Sequence, residues 1–310
     1  MILVCGEAII DLTPAQCGSE DGFVARPGGS PLNVAVGLAR LGSPCGFFGR
    51  ISEDPFGREL HRHLERNRVD LTFLRNGSEP TALAFVVASE QGEADYVFRW
   101  DGTADRRLLA HDLPEALPDQ VVALHLGSVG TTLEPMASTL EALTQRERGR
   151  RLVSFDPNVR PPLVPERTSY LERLERLVEL ADVVKVSDED LAWISPDESA
   201  DEVARRWQAS GPALVVVTLG ADGAFAIAAG GESEASSPRV EVVDTVGAGD
   251  AFTSGLLAWL ADLGRLDRDS LDRLDTAELD QALAFAARVA ALTCSRAGAD
   301  PPRREDLDRR

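Results

Sequence analysis

The sequence predicts an α/β fold: a doubly wound, mainly parallel sheet covered by helices on both faces, with a small β-sheet beside it. Three observations carry this expectation. Strand-like and helix-like segments alternate along almost the whole chain. Short apolar runs such as Ile2–Gly6 suit central strands. Two stretches, Leu12–Arg26 and Thr81–Asp105, break the alternation with strand-like pieces that no helix separates, as a lid would.

Taken in order, Ile2–Gly6 is the first strand. Asn33–Leu41 repeats apolar residues at helical spacing and stops at Gly42, a C-cap residue. Phe47–Ile51 reads as a strand and Phe56–Arg66 as a helix, with His61 and His63 on its solvated face. Ala82–Ala88 and Asp95–Phe98 read as strands around a turn at Glu90–Glu93. Val121–Leu126 and Arg151–Phe155 are strands flanking a helix over Pro135–Arg148. A helix over Ser169–Leu180, a strand over Val183–Val186 and a helix over Ser199–Ser210 follow. Ala213–Thr218 pairs with Ala224–Ala228 as a hairpin, and Val240–Val243 is one more strand. Two apolar helices, Ala251–Leu263 and Leu279–Cys294, close the pattern, and the polar tail Pro301–Arg310 is expected to fray. There is no internal repeat or long linker, so residues 1–310 read as a single domain with lid elements at about 12–27 and 81–105.

Composition narrows the function. The chain has 310 residues, 44% of them apolar, enough for a sizeable core. A formal charge of −19 repels phosphate backbones and anionic lipid, which argues against nucleic-acid and membrane partners. An anionic substrate then needs an amide-lined or locally positive pocket. Of 32 basic residues a single one, Lys185, is a lysine, and a compact ammonium does what a planar guanidinium cannot. Cys5, Cys17, Cys45 and Cys294 are widely spaced with no C-x-x-C, which fits a reducing cytoplasm rather than a zinc site or disulfide framework. The start MILVCGEAIID reads as a buried strand rather than a signal peptide, and no apolar stretch reaches the ~18 residues of a membrane span.

The strongest motif is Asp244-Thr245-Val246-Gly247-Ala248-Gly249-Asp250-Ala251-Phe252. It leaves a strand-like segment and opens an apolar helix. Small residues leave backbone amides uncovered at the helix N-terminus, where they and the dipole attract an anion. Asp250 falls in the first turn, beside any bound phosphate, and a carboxylate there accepts a proton from an attacking hydroxyl. Near the other end, Pro27-Gly28-Gly29-Ser30-Pro31-Leu32-Asn33-Val34-Ala35 allows close backbone approach to a ligand before entering a helix. The chain has no G-x-x-x-x-G-K-[ST], no dinucleotide fingerprint (Gly247–Phe252 reads G-x-G-x-x-F), no H-E-x-x-H and no G-x-S-x-G.

These two motifs resemble the signatures of the PfkB (ribokinase-like) carbohydrate kinases, and the resemblance covers essentially the whole chain. It implies a ribokinase-like three-layer fold, ATP with Mg2+ as the nucleotide pair, and a sugar hydroxyl as acceptor. Asp250 is then the catalytic base, and the amides of Gly247, Ala248 and Gly249 form the anion hole. Asp11, Gly28, Gly29 and Asn33 match the sugar contacts. Thr218-Leu219-Gly220-Ala221-Asp222-Gly223 resembles the T-x-G-x-x-G nucleotide loop, with Thr218, Gly220 and Gly223 as its markers, and Ala287–Gly298 resembles the segment flanking the adenine. Where many members carry N-x-x-E, this chain has Ser187 and Asp190, so Asp190, or Glu189 in its place, organises magnesium through water, with Ser187 and Lys185 near the phosphates. A monovalent cation, potassium, is implied at the carbonyls of Asp244, Val246, Thr293, Arg296 and Gly298, and a homodimer through the lid.

Phe155-Asp156-Pro157-Asn158-Val159-Arg160-Pro161 and Gly102-Thr103-Ala104-Asp105 resemble the fructokinase branch, implying D-fructose phosphorylated on its 6-hydroxyl. The first element is shared with 2-keto-3-deoxygluconate kinases, whose acidic substrate favours an arginine fork; Arg99 and Arg160 are the candidates. Ribokinase or nucleoside kinase activity ranks third. A catalytically silent sugar sensor is the reading of another class, and the intact Asp250 and anion hole argue against it.

Overall fold

A computed structural model of the chain describes residues 1–17, 20–88 and 94–308. The chain opens with β1 (Ile2–Cys5), the antiparallel pair β2 (Ile9–Cys17) and β3 (Glu20–Gly28), helix α1 (Ser30–Arg40) and β4 (Cys45–Phe48). β5 (Arg50–Ser52), α2 (Pro55–Arg66), β6 (Arg75–Gly77), β7 (Leu83–Ala88) and β8 (Ala94–Arg99) follow. The second half alternates β9 (Ala123–Gly127), α3 (Met136–Glu147), β10 (Leu152–Asp156), α4 (Arg167–Leu180), β11 (Val183–Ser187), α5 (Asp188–Ile194), α6 (Ala200–Ser210) and β12 (Leu214–Thr218). It ends with β13 (Ala224–Ala228), β14 (Gly231–Ala235), α7 (Ala248–Asp262), α8 (Arg268–Leu271), α9 (Thr276–Cys294) and α10 (Arg304–Leu307).

The main sheet has eight strands in the order β14-β13-β12-β11-β10-β9-β1-β4. Pairing is parallel from β4 to β12, and β13 and β14 add antiparallel at one edge. β1, β4, β9 and β10 are buried at every position, because helices cover both faces. Ile2, Val4, Leu152, Val183 and Val216 face a core built with α1, α7 and α9. Leu3, Leu124, Val153, Phe155 and Val184 face a second core built with α3, α4 and α6. Each buried leucine or valine contributes roughly 1.5–3 kcal/mol of transfer free energy, so the three layers hold together chiefly by this burial.

The two stretches that broke the alternation form a separate four-stranded sheet, β3-β2-β7-β8. Asp11, Arg26, Ala84 and Phe98 stand in register and therefore share one face of it. Leu12, Phe85 and Val97 share the other face. Phe23 packs edge-on against Phe85 at 5.6 Å between ring centroids, and Phe23 and Val97 remain exposed.

Four local expectations differ from the structure or fall outside it. Phe47–Ile51 is two strands in different sheets, parted at Gly49, where a side chain would collide with the Gly6 carbonyl. Val240–Val243 is not a strand: Val242 and Val243 are exposed, and the Val243 amide donates to the Cys294 carbonyl instead of to a sheet. The edge belongs to β14, whose polar sequence Gly-Glu-Ser-Glu-Ala gives no apolar signal; only Ser233 within it is fully buried, donating to Asp280. The tail does not fray through Asp308. Arg40 binds Asp300 and the Pro301 carbonyl, Arg304 reaches Asp262 and the Leu41 carbonyl, and Leu307 enters the core. The turn expected at Glu90–Glu93 lies outside the described residues.

Candidate active site

The carboxyl ends of β1, β9, β10, β11 and β12 and the N-terminus of α7 converge on one edge of the sheet, where open α/β sheets receive ligands. A groove of about 540 Å³ lined by Arg146, Glu147, Arg151 and Asp182 lies at the opposite, amino-terminal ends of β10 and β11, and contains none of the residues that the motifs single out.

Gly247 caps α7 with φ of 77°, a left-handed turn that favours glycine, and its carbonyl accepts the first helical bond from Ala251. The Ala248 amide donates to Thr245 at 3.2 Å. Three residues into the helix, Asp250 is buried, and its two carboxylate oxygens are held apart. Ser30 Oγ donates to Oδ1 at 2.7 Å and Asn33 Nδ2 to Oδ2 at 2.8 Å. Both donors lie one turn apart at the start of α1, so a motif at residue 30 orients a carboxylate at residue 250. Burial raises the Asp250 pKa, the Ser30 and Asn33 hydrogen bonds oppose that, and the Asp156 charge adds to the rise.

Asp11, on β2, lies over Gly28: a Cβ there would fall 2.1 Å from Asp11 Oδ2, so the carboxylate occupies the space a side chain would take. Burial, and then the Asp250 carboxylate, raise the Asp11 pKa to about 6 against the lowering pull of the Arg160 guanidinium. Gly29 caps α1 with φ of 100°, its Cα facing the Glu7 carbonyl. The Glu7 carboxyl is buried, accepts from the Gly130 amide at 2.9 Å and is pushed up to about 7 by desolvation.

The structure therefore brings together Asp11, Gly28, Gly29, Asn33, Asp250 and Arg160. Arg160 Nη1 is steadied by the Asn158 side chain at 2.8 Å, and its charge reaches Asp11, Asp250 and Asp190. Arg99 is not part of this group. It is exposed and stands in register with Leu83, on the face of the small sheet opposite Asp11.

On the nucleotide side, Thr218 ends β12, and Leu219–Gly223 closes as a tight turn with a Leu219-to-Gly223 hydrogen bond of 2.8 Å. Gly220 has a φ of 55° with open space over its Cα, and Gly223, at 110°, lies against the Ala235 carbonyl. Ser187 accepts from the Asp190 amide as the cap of α5. Asp190 faces inward, accepting from the Val159 amide at 3.0 Å, and burial raises its pKa, with the Asp156 charge adding to the effect. Glu189 points to solvent. Lys185 is buried, 3.2 Å from Asp156 Oδ2.

Among the described residues no cluster of three or more His, Cys, Asp or Glu side chains is placed to hold a metal directly. This donor set fits an ion carried by nucleotide phosphates and reached through water, rather than a protein cage. The monovalent site has a different support. Asp244 Oδ1 accepts from the Val246 amide at 3.0 Å and Oδ2 from the Gly298 amide at 2.7 Å, so one side chain ties together the two segments whose carbonyls were expected to bind the ion.

Sequence reasoning overlooked Ser30, Glu7 and Asp156. Ser30 was legible as the residue one helical turn before Asn33. Asp156 and Lys185 were legible as the charged residues of two mainly apolar strands.

Known proteins resemble this chain over most of its length. The pfkB family carbohydrate kinase pattern matches residues 1–306. A fructokinase of Rhizobium leguminosarum bv. trifolii is 41% identical over 261 residues, 84% of this chain and 79% of that protein. A fructokinase of Klebsiella pneumoniae is 38% identical over 311 residues, 99% of this chain and 98% of that one. Among solved structures, the fructokinase of Xylella fastidiosa with bound ATP superposes with a TM-score of 0.89 at 32% identity, over 96% of this chain and 93% of that one. The fructokinase of Vibrio cholerae O395 bound to fructose, ADP and calcium ion gives 0.84 at 32% identity, over 99% and 97%. A double mutant of the Vibrio enzyme bound to fructose, ADP and potassium ion gives 0.84 at 31% identity, over 99% and 96%.

Proposed function

The chain belongs to the pfkB family of carbohydrate kinases, and on that premise we propose that it transfers the γ-phosphate of ATP to the 6-hydroxyl of D-fructose with Asp250 as general base. The observation that carries the mechanism is the Asp250 carboxylate, buried in the first turn of α7 beside the glycine loop and oriented by Ser30 and Asn33.

Asp11 accepts hydrogen bonds from sugar hydroxyls, and Gly28 leaves room for its carboxylate. Asp250 takes the proton from the 6-hydroxyl as that oxygen bonds to the γ-phosphorus, and the bond from phosphorus to the bridging oxygen of ADP breaks. The raised pKa of Asp250 makes it a better base than an exposed aspartate, at the cost of a larger protonated fraction in acid. Amides of Gly247 and Gly249 face the charge that develops on the phosphoryl oxygens, the Ala248 amide being turned to Thr245. The nucleotide lies along Thr218–Gly223, where open space over Gly220 admits it. Asp190 would reach magnesium through water, and that ion would supply neutralisation of the phosphate charge. Potassium bound near Asp244 would stiffen the loop.

The chain acts as one kinase domain whose small sheet is the lid. A homodimer through that lid is supported by the exposed Phe23 and Val97 on one of its faces. A reducing cytoplasm suits the unpaired Cys5, Cys45 and Cys294.

A second reading, the 2-keto-3-deoxy sugar acid, is favoured by Arg160, which lies where a substrate carboxylate would find a guanidinium. The deciding measurement is kcat/KM for fructose and for 2-keto-3-deoxygluconate on one preparation. A preference for fructose is expected. A preference for the acid that vanishes in Arg160→Ala would reject the fructose assignment.

A further inference from the structure

Lys185 and Asp156 form an ion pair whose side chains are 6% and 2% exposed. Burying two charges largely cancels their attraction, so such a pair adds little to a core that could have been apolar. Its position is informative. Asp156 is the last residue of β10, and Lys185 lies on the neighbouring β11, on the sheet face covered by α7. Asp156 Oδ2 accepts from Lys185 Nζ and from Thr253 Oγ1, each at 3.2 Å. Thr253 follows Asp250 by three residues, so one carboxylate ties the lysine to the turn of α7 that carries the base. The ammonium ends beneath the loop: a Cβ on Gly249 would lie 3.2 Å from Nζ. An ammonium has three N–H donors, and the contact with Asp156 engages one. Asp156 Oδ1 is buried without a hydrogen-bond partner, a state that costs about 1–3 kcal/mol and marks a group held for something other than stability. Nearby His125 and Ser154 satisfy each other at 3.0 Å, so they do not claim that oxygen.

We propose that Asp156 is a positioning residue of the phosphoryl-transfer site: it holds the Lys185 ammonium against Gly249, where the positive charge joins the loop amides in stabilising the transferred phosphoryl group. The inference rests on the kinase reading above and adds to it the residue that fixes the charge. It gives the buried pair a purpose and accounts for an ammonium at this position in a chain otherwise supplied with arginine. A planar guanidinium fork would aim its donors differently from this compact ammonium.

The test is the double variant Asp156→Asn/Lys185→Met, which removes both charges and so leaves no unpaired charge in the core. Its Tm should stay within a few degrees of the parent's. The KM for fructose should stay within about threefold, and kcat should fall by ~10²–10³-fold, the scale of losing one preorganised donor. Each single variant should lose about as much kcat as the double, because the two residues act as one unit. A folded double variant that keeps kcat within threefold of the parent, or singles whose losses multiply, overturns the proposal. If the double variant does not fold, Lys185→Arg, which keeps the ion pair, carries the test. There kcat should drop at least about tenfold in a protein that still melts cooperatively, and an unchanged kcat overturns the proposal. A parent enzyme that prefers another sugar would refute the fructose assignment alone; the ratios of variant to parent would then be read on that sugar.

Discussion

Asp11 offers a quantitative test of the sugar site. In the free protein burial and the neighbouring Asp250 carboxylate raise its pKa to about 6, while Arg160 pulls it down. Only the ionised form accepts two hydroxyl protons, and fructose itself has no group titrating in this range. The Kd for fructose should therefore follow 1 + 10^(pKa − pH). It should be flat above neutrality and should weaken by about 10-fold between pH 7.5 and pH 5, or about 1.4 kcal/mol. Calorimetric titration of fructose without nucleotide reads this directly, because no chemistry intervenes. Asp11→Asn should abolish the acid limb and weaken binding at pH 7.5 by about 10–100-fold, the value of hydrogen bonds to a charged acceptor. Asp250→Asn should keep the limb but shift it to lower pH, since the charge that raises Asp11 has gone. A limb of equal depth in Asp11→Asn would refute the placement of the sugar on Asp11. A limb in Asp250→Asn at the parental pH would refute the coupling of the two carboxylates.

Other predictions follow from neighbouring groups. Asp250→Asn should lower kcat by ~10²–10⁴-fold while Kd values for fructose and ATP change little, and near-normal turnover would remove the base from the mechanism. Potassium should raise kcat over a bulky organic cation at matched ionic strength, whereas equal rates would reject an ion beside Asp244. Glu7 has a folded pKa of about 7 against 4.5 for the free group, so the native state binds its proton more tightly than the unfolded state. Its protonated form is therefore favoured by folding, and stability falls as pH rises from about 4.5 through about 7, by about 3 kcal/mol in all (7 − 4.5 = 2.5, at 1.36 kcal/mol each). Urea melts of Glu7→Gln, which keeps an acceptor for the Gly130 amide, should lack this slope, and parallel curves for parent and variant would show that Glu7 does not carry it.

The sequence by itself determined the layered fold and the two ends of the active site. Apolar runs such as Leu214–Val217 and the helical period of Asn33–Leu41 are local properties of the chain, and so are glycines that permit unusual backbone at Gly29 and Gly247. The motif around Asp250 was legible for the same reason: a helix N-terminus and its amides are built from adjacent residues. What joins residues distant in the chain only the tertiary structure decided. That Ser30 and Asn33 orient Asp250, across 220 and 217 residues, depends on α1 packing against α7. That Arg99 stays outside the site depends on register in the small sheet, where a shift of one residue reverses the face a side chain takes, whereas Arg160 is placed by the segment that leaves the carboxyl end of β10. Val240–Val243 has the residues of a strand but bonds to the end of α9 through the Val243 amide instead. β14 has the edge and almost no apolar residues, because an edge strand exposed on alternate positions needs few. The Asp156–Lys185 pair lies between these cases. Each residue was visible as the charged member of a mainly apolar strand, but their meeting beneath Gly249 required two parallel strands and a helix N-terminus to be brought together, and a buried charge acquires a purpose only from what surrounds it.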